Sequence, residues 1–154
     1  MTIESSGICV HLQRLPHAEG LDAPAYASDG AAGMDIRAAV EQPFELACGA
    51  IAKVPTGFAI AVPEGFEVQL RPRSGLAARY GVTLANSPAT IDSDYRGEIF
   101  VALINLGREP LQIERGMRVA QLVLARVPRI EWEIAESLEP TLRGAGGFGH
   151  TGTT

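Results

Sequence analysis

The sequence predicts an all-β sandwich or barrel with one short helix. Apolar and β-branched runs of five to nine residues recur along the chain, each bounded by glycine or proline. Only Ser74 to Tyr80, SGLAARY, reads as helix, with Ser74 as its N-cap and Gly81 as its stop. At 154 residues the chain is most simply one domain with a substantial core.

The predicted strands are, in order, Ile8 to Leu12, Asp35 to Ala39, Ala50 to Pro55, Phe58 to Val62, Phe66 to Arg71, Glu98 to Asn105, Arg118 to Val127 and Ile130 to Ala135. Pro63-Glu64-Gly65 fits a tight turn between two of them, because proline presets one backbone angle and glycine allows the positive one. Ile99 to Ile104, IFVALI, is apolar on both faces. That predicts a strand covered on both sides, in the sandwich core or at a subunit contact. In RGMRVAQLV, Gln121 interrupts an alternation through Val119, Val123 and Val127 on an inward or interface face. From Gly144 onward glycine recurs at 144, 146, 147, 149 and 152, leaving little side chain to bury. The expected organisation is therefore a β domain over residues 1–142 and a flexible glycine-rich tail over 143–154. Phe148, the tail's one large apolar residue, makes sense if it closes over something flat.

A formal charge of −5 disfavours a nucleic-acid polymer as partner, but a small polyanion is allowed where a few arginines gather. Cys9 and Cys48 lie in no CxxC pattern and follow no signal segment, so reduced thiols in a cytoplasm are expected. No apolar run approaches the ~20 residues that span a bilayer. His11, His17 and His150 have no metal-ligand spacing, and the first two read as surface or strand residues.

Several segments carry chemistry. Asn86 to Ile99, NSPATIDSDYRGEI, places Asp92 after Ile91 and three residues before Tyr95 in a stretch of loop formers. An aspartate there either hydrogen-bonds its own turn or acts as a reactive carboxylate. In PRSGLA, Arg73 offers a planar donor fork, Ser74 a hydroxyl and Gly75 an approachable backbone, and the start of the helix adds free N–H groups. The same hexapeptide also reads as a capped helix beside a surface arginine; Arg71 adds a second positive charge. Asp35 is either a strand-end carboxylate in solvent or a ligand, direct or through water, for a hard cation such as Mg²⁺. The Gln121 amide would bond to backbone or reach a phosphate. The glycine-rich tail contains no GxxxxGK[ST], so a Walker-type ATPase is not expected.

Taken together, AGMDIRA, PRSGLA, NSPATIDSDYRGEI, RGMRVAQLV and RGAGGFGHTG resemble, in order and spacing, the homotrimeric dUTPase family (deoxyuridine triphosphate nucleotidohydrolases). They run from Ala32 to Gly152. The resemblance implies a jelly-roll β-sandwich, a threefold homotrimer and three active sites, each built from all three chains. It implies hydrolysis of dUTP to dUMP and pyrophosphate with Mg²⁺, which limits uracil in DNA and supplies dUMP for thymidylate synthesis. Asp92 then corresponds to the carboxylate that activates water for attack at the α-phosphorus, and Tyr95 to the aromatic against the deoxyribose. Asn86, Thr90, Ile91 and Phe100 belong to the hairpin that reads uracil. Arg73, Ser74, Gly75 and Gln121 match phosphate-contacting positions, and Asp35 holds water on Mg²⁺. From the tail, Arg143 would hold phosphate and Phe148 would stack over uracil.

The sequence departs from that pattern at Ala89, where glycine is usual, at Phe100, where lysine is frequent, and at Met117 and His150. If position 89 needs a positive φ, alanine would resist it. The alternatives are a dCTP deaminase of the same fold and a noncatalytic nucleotide-binding module. The intact IDSDYRGE and the Phe-containing tail oppose the first, and Asp92 opposes the second.

Overall fold

The computed structural model describes residues 7–148, in which strands dominate and a single α-helix occurs. The strands are β1 (His11–Arg14), β2 (Met34–Arg37), β3 (Phe44–Leu46), β4 (Ile51–Ala61), β5 (Phe66–Arg71), β6 (Val82–Leu84), β7 (Ala89–Ile91), β8 (Glu98–Asn105), β9 (Leu111–Ile113) and β10 (Arg118–Arg126). One four-stranded sheet has the order β1-β4-β8-β6 and a second the order β2-β10-β5-β7, while β3 and β9 form a two-stranded ribbon. Every pairing is antiparallel.

The core lies between the two larger sheets. Val54, Ile60, Val101 and Leu103 from the first meet Ile36, Val68, Leu70, Ile91 and Leu122 from the second, and Leu46 and Ile113 of the ribbon close one side. Alternation produces this: Ile99, Val101 and Leu103 of β8 are buried, whereas Phe100, Ala102 and Ile104 are only half-buried on the opposite face. The apolar outer face of β8 expected from IFVALI is thus partly covered within one chain. Asn105 is fully buried, and its amide bonds Leu46 O, Glu109 O and the Gly107 N–H, so the end of β8 is tied to β3 and the following loop without an unpaired polar atom.

Several expectations shift. The strands predicted over Ala50–Pro55 and Phe58–Val62 are one strand, β4, whose pairing with β8 breaks between Pro55 and Ala59. Proline and glycine at this point mark a bulge and not a turn. The first strand begins at His11 instead of Ile8, and the second ends at Arg37. Short strands at β3, β6, β7 and β9 were not predicted. Ile130 to Ala135 is not a strand; it runs exposed along the surface. The turn at Pro63–Gly65 is present, closed by Phe66 N–H donating to Pro63 O. Helix α1 spans Ser74–Tyr80, but its N-cap is Arg73, which makes no side-chain capping bond, so Ser74 is the first helical residue. Gly81 ends it in the left-handed conformation. Tail residues from 149 onward, His150 among them, lie outside the described residues. No helix among the described residues is long and apolar enough to cross a membrane.

Candidate active site

β7 positions the reactive segment. Its register against β5, Ala89 with Leu70, Thr90 with Gln69 and Ile91 with Val68, buries Ala89 and Ile91 in the core and turns Thr90 outward. Asp92 therefore emerges at the strand's end with its side chain exposed. A turn follows, in which Tyr95 N–H donates to Asp92 O at 3.2 Å and Arg96 Nη1 donates to Ser93 O and Tyr95 O, both at 2.7 Å. The chain then re-enters the sandwich as β8. Ala89 is not at positive φ, because the position is an ordinary strand residue; the expected difficulty with alanine does not arise.

A cavity of about 230 Å³ opens beside this turn, lined by Asn86, Thr90, Ile91, Asp92, Tyr95 and Phe100, all of them singled out by sequence. Lys53 and Glu98 also line it and were not. The Lys53 ammonium sits 3.9 Å from the centre of the Phe100 ring, a cation–π contact that places a positive charge at the cavity's rim. The Tyr95 hydroxyl donates to Glu98 O at 2.8 Å. Its ring lies across Gly97, where an added Cβ would fall 2.5 Å from the hydroxyl oxygen. A larger open cavity of about 690 Å³, rimmed by Glu64, Glu67, Asp94, Arg96 and Arg129, adjoins the turn, and Asp92 lines both.

A second cluster forms elsewhere on the sheet β2-β10-β5-β7. The Asp35 carboxylate receives Arg73 Nε at 2.8 Å and Arg118 Nη1 at 3.2 Å, so both of its oxygens face guanidinium groups. Gln121 Nε2 donates to Pro72 O at 2.9 Å, holding the segment that leads into PRSG. Its Oε1 occupies the space a Cβ at Gly33 would need, 2.3 Å away, which accounts for glycine at that point of AAGMD. Ser74 and Gly75 open α1, and nothing stands within 4 Å of where a Gly75 Cβ would be. The helix's first main-chain bond is Ala77 N–H to Arg73 O, so the N–H groups before it have no partner within the helix. None of Asp35, Arg73, Ser74, Gly75 and Gln121 lines the Asp92 cavity of the same chain.

The two tail residues stand apart from both clusters. Arg143 Nε donates to Gly146 O at 2.8 Å within a local turn, and Phe148 is fully exposed. No group of three or more His, Cys, Asp and Glu side chains that could hold a metal occurs among the described residues.

Residues 19–152 match the dUTPase family. The chain belongs to the dUTPase family. Relatives include the deoxyuridine 5′-triphosphate nucleotidohydrolase of Rickettsia massiliae, 56% identical over 93% of this chain and 96% of the relative. That of Rickettsia bellii is 60% identical over 84% and 86%, respectively. A dUTPase of Staphylococcus bacteriophage 80alpha, solved with dUpNHpp, superposes with a TM-score of 0.82 at 23% identity, covering 94% of this chain and 98% of that one. An Asp-to-Asn mutant of the dUTPase of S. aureus phage phi11, described with a structural Mg(II) ion, gives 0.74 at 22% identity over 86% and 99%. These distant structures share the jelly-roll-type sandwich of the family, now seen in this dUTPase as two four-stranded sheets with β7 and β8 framing the turn that carries Asp92.

Proposed function

We propose that this dUTPase hydrolyses dUTP to dUMP and pyrophosphate in the cytoplasm, using the 230 Å³ cavity beside Asp92 to hold the nucleoside. The observation that carries the reading is the convergence of Asn86, Thr90, Ile91, Asp92, Tyr95 and Phe100 on that one cavity, inside a chain of this family. Asp92 accepts a proton from a water molecule and aims it in line at the α-phosphorus; the new P–O bond forms as the bond to the bridging oxygen breaks, and pyrophosphate leaves. Phosphoryl-transfer chemistry of this kind asks the protein for positioning and charge neutralisation more than for covalent work. The Tyr95 ring packs on the deoxyribose and leaves no space for a 2′-hydroxyl. The backbone of Asn86, Thr90, Ile91 and Phe100 matches the uracil edge. Each polar group that a wrong base left unpaired there would cost ~1–3 kcal/mol.

Arg73, Ser74, Gly75 and Gln121 take the phosphates, with Arg143 and Phe148 brought in by the tail. When bound with the triphosphate, Mg²⁺ would supply charge neutralisation, and Asp35 would help to hold it. The carboxylate of Asp35, already held by two guanidiniums, suits contact with the ion through water and not direct ligation.

The phosphate cluster and the nucleoside cavity are separate in one chain, and this supports a homotrimer in which different subunits complete each site. The segment after β10 agrees with that assembly. Ile130, Trp132, Ile134, Leu138 and Leu142 are all exposed, Trp132 to 85%, and each such side chain gains about 1.5–3 kcal/mol when another surface covers it.

The assembly is tested by mixing two inactive variants, Asp92→Asn and Arg73→Ala, under conditions that exchange subunits. If a site takes Asp92 and Arg73 from different chains, about a quarter of sites in an equal mixture are intact and activity returns. A mixture no more active than its parts would place both residues in one chain's site.

A further inference from the structure

Glu98 stands where the Asp92–Gly97 turn rejoins the sandwich, and its carboxylate has no part in the chemistry above. Its side chain is only 13% exposed, and Oε1 takes two donors, the Gly57 N–H at 2.7 Å and His17 Nε2 at 2.7 Å. Both donors come from outside the turn.

The reason lies in the β4 bulge. Between Pro55 and Ala59 the pairing with β8 is broken, and Gly57 takes a positive φ of 70°. Side chains replace the missing ladder bonds: Thr56 Oγ1 donates to Ile99 O at 2.6 Å, and the Glu98 carboxylate accepts from Gly57. On its other side the bulge is pressed against the 3₁₀ turn Pro16–Ala18, with Leu15 N–H donating to Gly57 O at 2.8 Å. A Cβ at Gly57 would fall 2.3 Å from that of the fully buried Ala18, so only glycine allows the approach. His17, in that same turn, reaches across to the carboxylate. The main-chain carbonyl of this same Glu98 is the acceptor for the Tyr95 hydroxyl.

We infer that His17 and Glu98 form a positioning pair that sets the sugar selectivity of the nucleoside cavity, by fixing the carbonyl on which Tyr95 rests. The inference rests on the assignment of Tyr95 to the deoxyribose. Excluding one hydroxyl group depends on ring displacements of less than its own width, and a ring whose hydroxyl end lies over Gly97 and donates to the Glu98 carbonyl is only as fixed as Glu98. A charge-assisted bond to Gly57 and a second bond to His17 immobilise that residue through its side chain. His17 is 81 residues from Glu98 in sequence and does not line the cavity.

The test compares kcat/KM for dUTP and UTP in the wild type and in His17→Ala, His17→Gln, Glu98→Ala, Tyr95→Phe and the Glu98→Ala/Tyr95→Phe double variant, with melting temperatures alongside. His17→Ala and Glu98→Ala are expected to raise the UTP:dUTP ratio about tenfold. His17→Gln, whose Nε2 can donate to the same carboxylate, restores selectivity. The Tyr95→Phe change, which removes the hydroxyl's bond to Glu98, gives a similar rise and adds little to Glu98→Ala, as expected when two changes break one device. Normal dUTP turnover with an unchanged ratio in both alanine variants, whatever their melting temperatures, overturns the pair alone. A wild type that releases no pyrophosphate from dUTP overturns the assigned reaction and the pair with it.

Discussion

Asp92→Asn is expected to lower kcat for dUTP by about 10³-fold or more while leaving the fold, the assembly and nucleotide affinity in place. Asparagine is nearly the same size as aspartate but cannot take a proton from water. The position tolerates the change because Asp92 is exposed at the end of β7, and the turn after it is held by backbone: its own carbonyl accepts Tyr95 N–H, and Arg96 binds the carbonyls of Ser93 and Tyr95. The loss therefore falls on chemistry and not on architecture. Pyrophosphate release measures the first, and calorimetric titration with a nonhydrolysable dUTP analogue measures the second. Wild-type turnover in this variant would remove Asp92 from the role of base.

Deletion of residues 143–154 should suppress kcat/KM by about 10²-fold with little change in melting temperature, if the tail supplies binding groups as proposed. Within the described part, Arg143 contacts only its own turn and Phe148 packs against nothing. Removing exposed side chains costs the folded state little. On the proposed reading, the deletion would remove the guanidinium from phosphate and the ring from over the base, together with the exclusion of water that closure would bring. Steady-state kinetics and thermal melting on the truncated chain check both halves, and full activity would show that the tail does not act as a lid.

Much of this was legible from residue order, for identifiable reasons. Long strands such as β5, β8 and β10 carry enough alternation to declare themselves, and a helix stopped by Gly81 has a visible C-terminal end. Strands of three residues, β3, β6, β7 and β9, are too short to show a period, and their existence depends on partners distant in sequence. Ile130 to Ala135 fails in the opposite way. IEWEIA alternates as a half-buried strand should, yet it pairs with no strand among the described residues. Periodicity reports that Ile130, Trp132 and Ile134 suit a covered face, not which molecule covers them.

The site divides similarly. The cavity beside Asp92 is built largely from one contiguous stretch, so its residues could be found together. Asp35, Arg73 and Arg118 form a network across three elements whose charges look unrelated in the sequence. Glu98 and His17 gave no local signal; a histidine after a proline reads as surface until the β4 bulge brings it to the carboxylate. Ala89 shows the limit of comparing single positions. Glycine there would suggest a strained turn, whereas the residue is buried in regular pairing with Leu70.

Water attack at the α-phosphorus guided by Asp92 is tested by hydrolysing dUTP in ¹⁸O-labelled water and analysing both products by mass. One ¹⁸O atom in dUMP and none in pyrophosphate is the predicted result, with the labelled dUMP lost in Asp92→Asn. Label in the pyrophosphate would place the attack at the β-phosphorus and contradict the assignment.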